Sequence, residues 1–146
     1  MNASERDIKR MLQFLRKCHN KSTVLKQWHY RGPADLLLRE GKFYQPGDGP
    51  TRWNRSMPQA CFRNAALYAI THRLRYVEGY ATGVMPVHHG WCVDAQGKVV
   101  EVTWDFMGAA YFGVEFPPMS VTRGVVLFND RNVAIYRREL KQAKKS

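Results

Sequence analysis

Three residues of this chain have the types, order and setting that thiol chemistry requires. Cys61 opens the run Cys61-Phe62-Arg63-Asn64-Ala65, whose pattern is helical. His89 lies in Val87–Asp94, which reads as a strand, and Glu101 lies in the next strand-like run, Val99–Trp104. A thiolate attacks an acyl carbon, an imidazole accepts the thiol proton and later returns one to the leaving group, and a carboxylate fixes the imidazole tautomer. Cys61 stands in the first helical turn after Pro58, where orphan N–H groups and the positive end of the helix dipole favour a negative sulfur. Arg63 adds a positive charge nearby. The Cys61 backbone N–H and the Gln59 side chain are the candidate oxyanion donors. Trp53 and Trp91 are the candidate substrate-lining aromatics, and Asp94 and Asp105 are the fallback acids.

The elements around these residues follow from periodicity. Ile8, Met11, Leu12 and Leu15 recur at helical spacing after Ser4-Glu5-Arg6-Asp7, which reads as a capping box, so a helix is expected over about 4–18. Cys18 is expected to pack at its end. Shorter helical pieces are expected over 22–28 and 34–40, the latter ended by Gly41. Gln45-Pro46-Gly47-Asp48-Gly49-Pro50 is the clearest loop. The nucleophile helix is expected to run to about Arg73, kept thin by Ala65, Ala66 and Ala69. Strands are expected over 74–82, 87–94 and 99–104, the last two joined by a hairpin turn at Ala95-Gln96-Gly97. By strand alternation Val87, His89, Trp91 and Val93 share a face, expected to be the one that the helix covers. The Gly- and aromatic-rich stretch 105–118 reads as a loop with at most one short strand. Val121–Phe128 is strand or helix, and 132–144 reads as a helix with a basic end.

The residues also carry a resemblance. His89-Gly90-Trp91 resembles the His-x-Trp strand of transglutaminase-like proteins. Val100-Glu101-Val102-Thr103-Trp104 resembles their following strand, and Cys61 opening a helix resembles their nucleophile. Tyr111-Phe112-Gly113-Val114 is a weaker trailing element. Glu101 stands where the family carries Asp, and Val102 where it carries Pro. The resemblance covers roughly 61–116 and implies an α+β, papain-like/transglutaminase-like core: a nucleophile helix packed on an antiparallel sheet; the helical N-terminal region before it is read from periodicity. It implies a thiol hydrolase, deamidase or acyltransferase with a Cys61-His89-Glu101 triad and no cofactor.

The totals set bounds. At 146 residues the chain has the length of a single domain, divided here into a helical region (1–50), a catalytic-like core (51–118) and a C-terminal segment (119–146). The net charge is +11, with 12 basic and 5 acidic residues before Cys61 and 11 and 7 from it onward. This balance suits an acidic protein, a nucleotide or a nucleic acid as partner. The second function class is therefore a basic, non-enzymatic binding module, with its tryptophans stacking on bases. Three cysteines with no Cys-x-x-Cys pair argue against a disulfide framework or zinc ribbon. His88, His89, Cys92 and Cys61 are poorly spaced for a metal, because adjacent residues of a strand face opposite ways. No apolar run approaches membrane-spanning length, and a reducing, cytoplasmic setting is expected.

Overall fold

The structure is a computed structural model that describes residues 1–20, 30, 32–51 and 60–119. The expected elements over 22–28, 121–128 and 132–144 lie outside the described residues, as do Trp53 and Gln59.

Helix α1 spans Ala3–Asn20. Its capping box lies two residues earlier than the sequence suggests. The Asn2 side-chain oxygen accepts the Glu5 N–H at 2.8 Å, and the Glu5 carboxylate accepts the Asn2 N–H at 2.9 Å. Asn is as good an N-cap as Ser, and Glu is the residue that best reaches back from the third helical position. Ile8 and Leu12 of α1 are fully buried, with Met11 and Leu15 packed beside them. Cys18 is exposed rather than packed. Helix α2 spans Pro33–Glu40, with Pro at its start, where the missing N–H costs nothing. It buries Leu36 and Leu37 against the same core.

Among the described residues, five strands form one antiparallel sheet: β1 Lys42–Tyr44, β2 Arg75–Thr82, β3 Pro86–Val93, β4 Val99–Val100 and β5 Ala110–Phe116, in the order β1-β5-β2-β3-β4. Helix α3, Cys61–His72, precedes β2 and packs on β3. The architecture is thus α+β. Two expectations change here. The stretch expected to be mostly loop holds β5, seven residues paired with β1 on one side and β2 on the other. The N-terminal region is not purely helical, since β1 joins the sheet. The edges of the sheet also approach each other. Gln45, just past β1, bridges Lys98, just before β4, and its carbonyl accepts the Val99 N–H at 2.9 Å.

This curl gives the sheet two buried faces. The outer one carries Tyr76, Tyr80, Cys92, Phe112, Val114 and Phe116 beneath the helices. The inner one carries Tyr44, Val77, Ala81, Trp91, Val93, Val99 and Tyr111. Among the described residues no helix is long and apolar enough to cross a membrane.

Candidate active site

Helix α3 lies on the outer face of β3. Cys92 donates its S–H to the Ala65 carbonyl at 3.0 Å, and burial pushes its thiol up to about 12, so this cysteine is held as a packing residue. Gly90 allows the close approach at the helix start. A Cβ there would stand 2.9 Å from Phe62 Cδ1 and 3.1 Å from Phe62 Cα. The first residue of α3 is therefore laid against the strand at His89-Gly90.

His89 belongs to the inner face, not to the helix-covered face on which strand alternation led us to expect it. It packs beside Trp91 and Tyr111, its ring centroid 3.9 Å from that of Trp104 and 17° off parallel. Even so, the Cys61 sulfur lies near enough to the His89 imidazole to help hold the ring's proton. β4 pairs with β3 only at Cys92 and Val93, so no ladder from β4 stands alongside His89. The helix start and the inward-facing ring meet in that opening.

Glu101 explains why β4 is so short. Its Oε2 accepts the backbone N–H groups of Thr103 and Trp104, each at 3.1 Å. The chain thus wraps around its own carboxylate and uses donors that a strand extending to Trp104 would have offered its neighbour. Its Oε1 accepts His89 Nε2–H at 2.8 Å and the Tyr111 hydroxyl, also at 2.8 Å. With Nε2 committed to the carboxylate, Nδ1 is the ring nitrogen left for the thiol. The hydroxyl of Tyr111 accepts the Gly108 N–H at 2.8 Å in turn. Across the outer side of the opening, the Asn64 side-chain amide donates to Thr103 Oγ1 at 3.3 Å, tying α3 to the same segment.

The electrostatics follow from these contacts. His89 is 1% exposed and Glu101 fully buried. Burial alone would lower the His89 pKa, but the neighbouring Cys61 sulfur and the hydrogen bond and charge of Glu101 outweigh it and raise it to about 9. Burial alone would raise Glu101; hydrogen bonds from His89, Tyr111 and the Thr103 N–H hold it below the usual carboxylate range. Burial and the neighbouring carboxylate push the Tyr111 phenol up, so it stays a donor. His89 therefore carries a proton at neutral pH, hydrogen-bonded to a carboxylate and near the Cys61 sulfur.

Of the residues that the sequence singles out, Cys61, His89 and Glu101 come together. Asp94 does not join them: its Oδ1 accepts the N–H groups of Gln96 and Lys98 and so shapes the turn in which Gly97 has φ +81°. Asp105 is exposed. Trp91 is fully buried and cannot line a substrate groove. Trp104 and Tyr111 belong to the site although sequence reasoning does not place them there. A Trp three positions past the acid and a Tyr opening an aromatic strand are the available signals. His88 lies on the other strand face, its Nε2 2.9 Å from the Tyr80 hydroxyl, and burial lowers its pKa. Among the described residues no group of three or more His, Cys, Asp or Glu is placed to hold a metal ion.

A comparison with family models, curated proteins and solved structures finds no match to this chain.

Proposed function

We propose that this chain is a cysteine-nucleophile enzyme with a transglutaminase-like or papain-like core, acting on an acyl or amide-type carbon through a thioester. One observation carries the reading. A sulfur at the start of a helix neighbours an imidazole whose Nε2 lies 2.8 Å from a buried carboxylate.

In this mechanism His89 holds the proton that the Cys61 thiol has given up, and the Cys61 thiolate attacks the acyl carbon. The Cys61 backbone N–H, at the helix start, faces the developing oxyanion. The His89 imidazolium protonates the leaving nitrogen as the carbon–nitrogen bond breaks, leaving a thioester. Water or an amine then attacks, gives its proton to His89, and the carbon–sulfur bond breaks to restore the thiolate. Glu101 holds the ring orientation and stabilises the imidazolium throughout. Water makes the reaction a hydrolysis or deamidation, and an amine makes it a transfer. The chemistry calls for no cofactor. The net charge of +11 favours an anionic substrate or partner.

Incubation with an activated ester such as p-nitrophenyl acetate, followed by mass spectrometry of the cysteine peptides, tests the reading. Acylation of Cys61 ahead of Cys18, with release accelerated by hydroxylamine, is expected. Equal acylation of Cys61 and the exposed Cys18 would overturn it.

A further inference from the structure

Part of the positive charge of this molecule lies in a stretch that the proposed chemistry does not use. Between Asp7 and Asp35 the sequence has seven Lys or Arg residues and no acid. Helix α1 displays the first part of that stretch. Its inward stripe, Ile8 and Leu12 with Met11 and Leu15, satisfies the core. The opposite stripe exposes Arg6, Arg10, Gln13, Phe14 and Lys17 at spacings of four, three, one and three residues, which keeps them on one side of the helix.

Two features distinguish this face from an ordinary solvated one. Phe14 is 65% exposed, a large aromatic that the core does not need, standing between Arg10 one turn before and Lys17 one turn after. Among the described residues, neither Arg10 nor Lys17 forms an ion pair with a carboxylate. Lys9, by contrast, is used structurally, with its ammonium 4.6 Å from the Phe112 ring centroid. Arg6 donates to the Met1 carbonyl at 2.7 Å. Asp7, exposed at the N-terminal end, is the last acid in the sequence of α1.

We propose that the exposed face of α1 binds single-stranded nucleic acid, Phe14 stacking on an unpaired base while Arg10 and Lys17 neutralise flanking phosphates. An aromatic ring between cations matches the chemistry of a base between phosphates. An acidic protein would use the cations and leave the ring without a role. The surface is remote in sequence from Cys61, so either proposal can fail without the other.

The test is fluorescence anisotropy of a labelled thymidine single strand of about 20 nucleotides, titrated with the full chain between about 50 and 200 mM salt. Binding that weakens with salt is expected. Arg10→Gln with Lys17→Gln should reduce the slope of log affinity against log salt by about 1.4, at roughly 0.7 per phosphate neutralised on a single strand. Phe14→Ala should weaken binding by about 10-fold or more with the slope unchanged. All these positions are exposed, and circular dichroism confirms that the helix is retained. The proposal is overturned by no measurable binding, by binding that Phe14→Ala leaves intact, or by equal competition from polyglutamate of matched charge.

Discussion

The Glu101 carboxylate has four donors, His89 being one of them. Thr103 and Trp104 hold one oxygen by their backbone N–H groups, while Tyr111 and His89 share the other. Removing the Tyr111 hydroxyl should therefore act through Glu101. In Tyr111→Phe the carboxylate loses a donor that holds its pKa down, and the Gly108 N–H loses its acceptor. The expected cost is about 1–3 kcal/mol in a urea melt, with acid unfolding starting at a higher pH than in the wild type. An unchanged acid limb would show that the phenol does not tune the carboxylate. The pairing of these residues is only partly legible in the sequence. Cys61, His89 and Glu101 stand out by type and order, but nothing separates the sealed Trp91 from a groove-lining tryptophan, and only its place three positions past the acid marks Trp104 among several. Aromatic content does not say which ring is sealed into the core and which lies against the imidazole.

At the scale of elements, the site depends on a helix start pressed against a strand. Gly90 has no side chain where Phe62 approaches, and any Cβ must push the start of α3 away. Gly90→Ala should cost about 1–3 kcal/mol by overpacking, read from the urea midpoint. It should also slow Cys61 alkylation by displacing the thiol from His89, and a variant with wild-type stability and reactivity would remove this role from Gly90. The helices α1 and α3 and the turn at Gly97 are legible because periodicity and turn chemistry act locally. β5 is not, because it is paired on both edges and all but one of its residues are buried, so it lacks the polar alternation that marks a half-exposed strand. β4 is shorter than its sequence suggests because nothing in Val99–Trp104 announces that Glu101 will take the backbone donors of Thr103 and Trp104. The face of His89 is hidden for a related reason. Both faces of the curled sheet are apolar, so the pattern Val87, His89, Trp91, Val93 defines a face without saying which one the helix covers.

For the whole molecule, the buried His89–Glu101 pair makes stability depend on pH in a defined direction. Glu101 is depressed in the folded state, so its contribution is present above the ordinary carboxylate range and is lost as pH falls through the folded value. His89 is raised from 6.5 to about 9, so its contribution is complete below about 6.5 and is lost as pH rises through about 9. The buried Cys92 thiol, pushed up to about 12, extends the alkaline loss above the ordinary thiol range. Urea midpoints should therefore be highest near pH 5–6 and fall by pH 9, with the fall between about 6.5 and 9 reduced in His89→Ala. A midpoint that rises across that interval would contradict the protonated, paired state of His89. The net charge of +11 is legible from composition alone, but where it is displayed depends on which stripe of α1 the core takes up. The most direct measurement of the Cys61–His89 partnership is the rate of iodoacetamide alkylation at Cys61 relative to Cys18, near neutral pH, in the wild type and in His89→Ala. Cys18 is the more exposed thiol, so accessibility alone favours it. Cys61 should nevertheless react at least about tenfold faster, and the variant should lose that advantage; equal rates in the wild type, or an advantage that survives the loss of the imidazole, would contradict it.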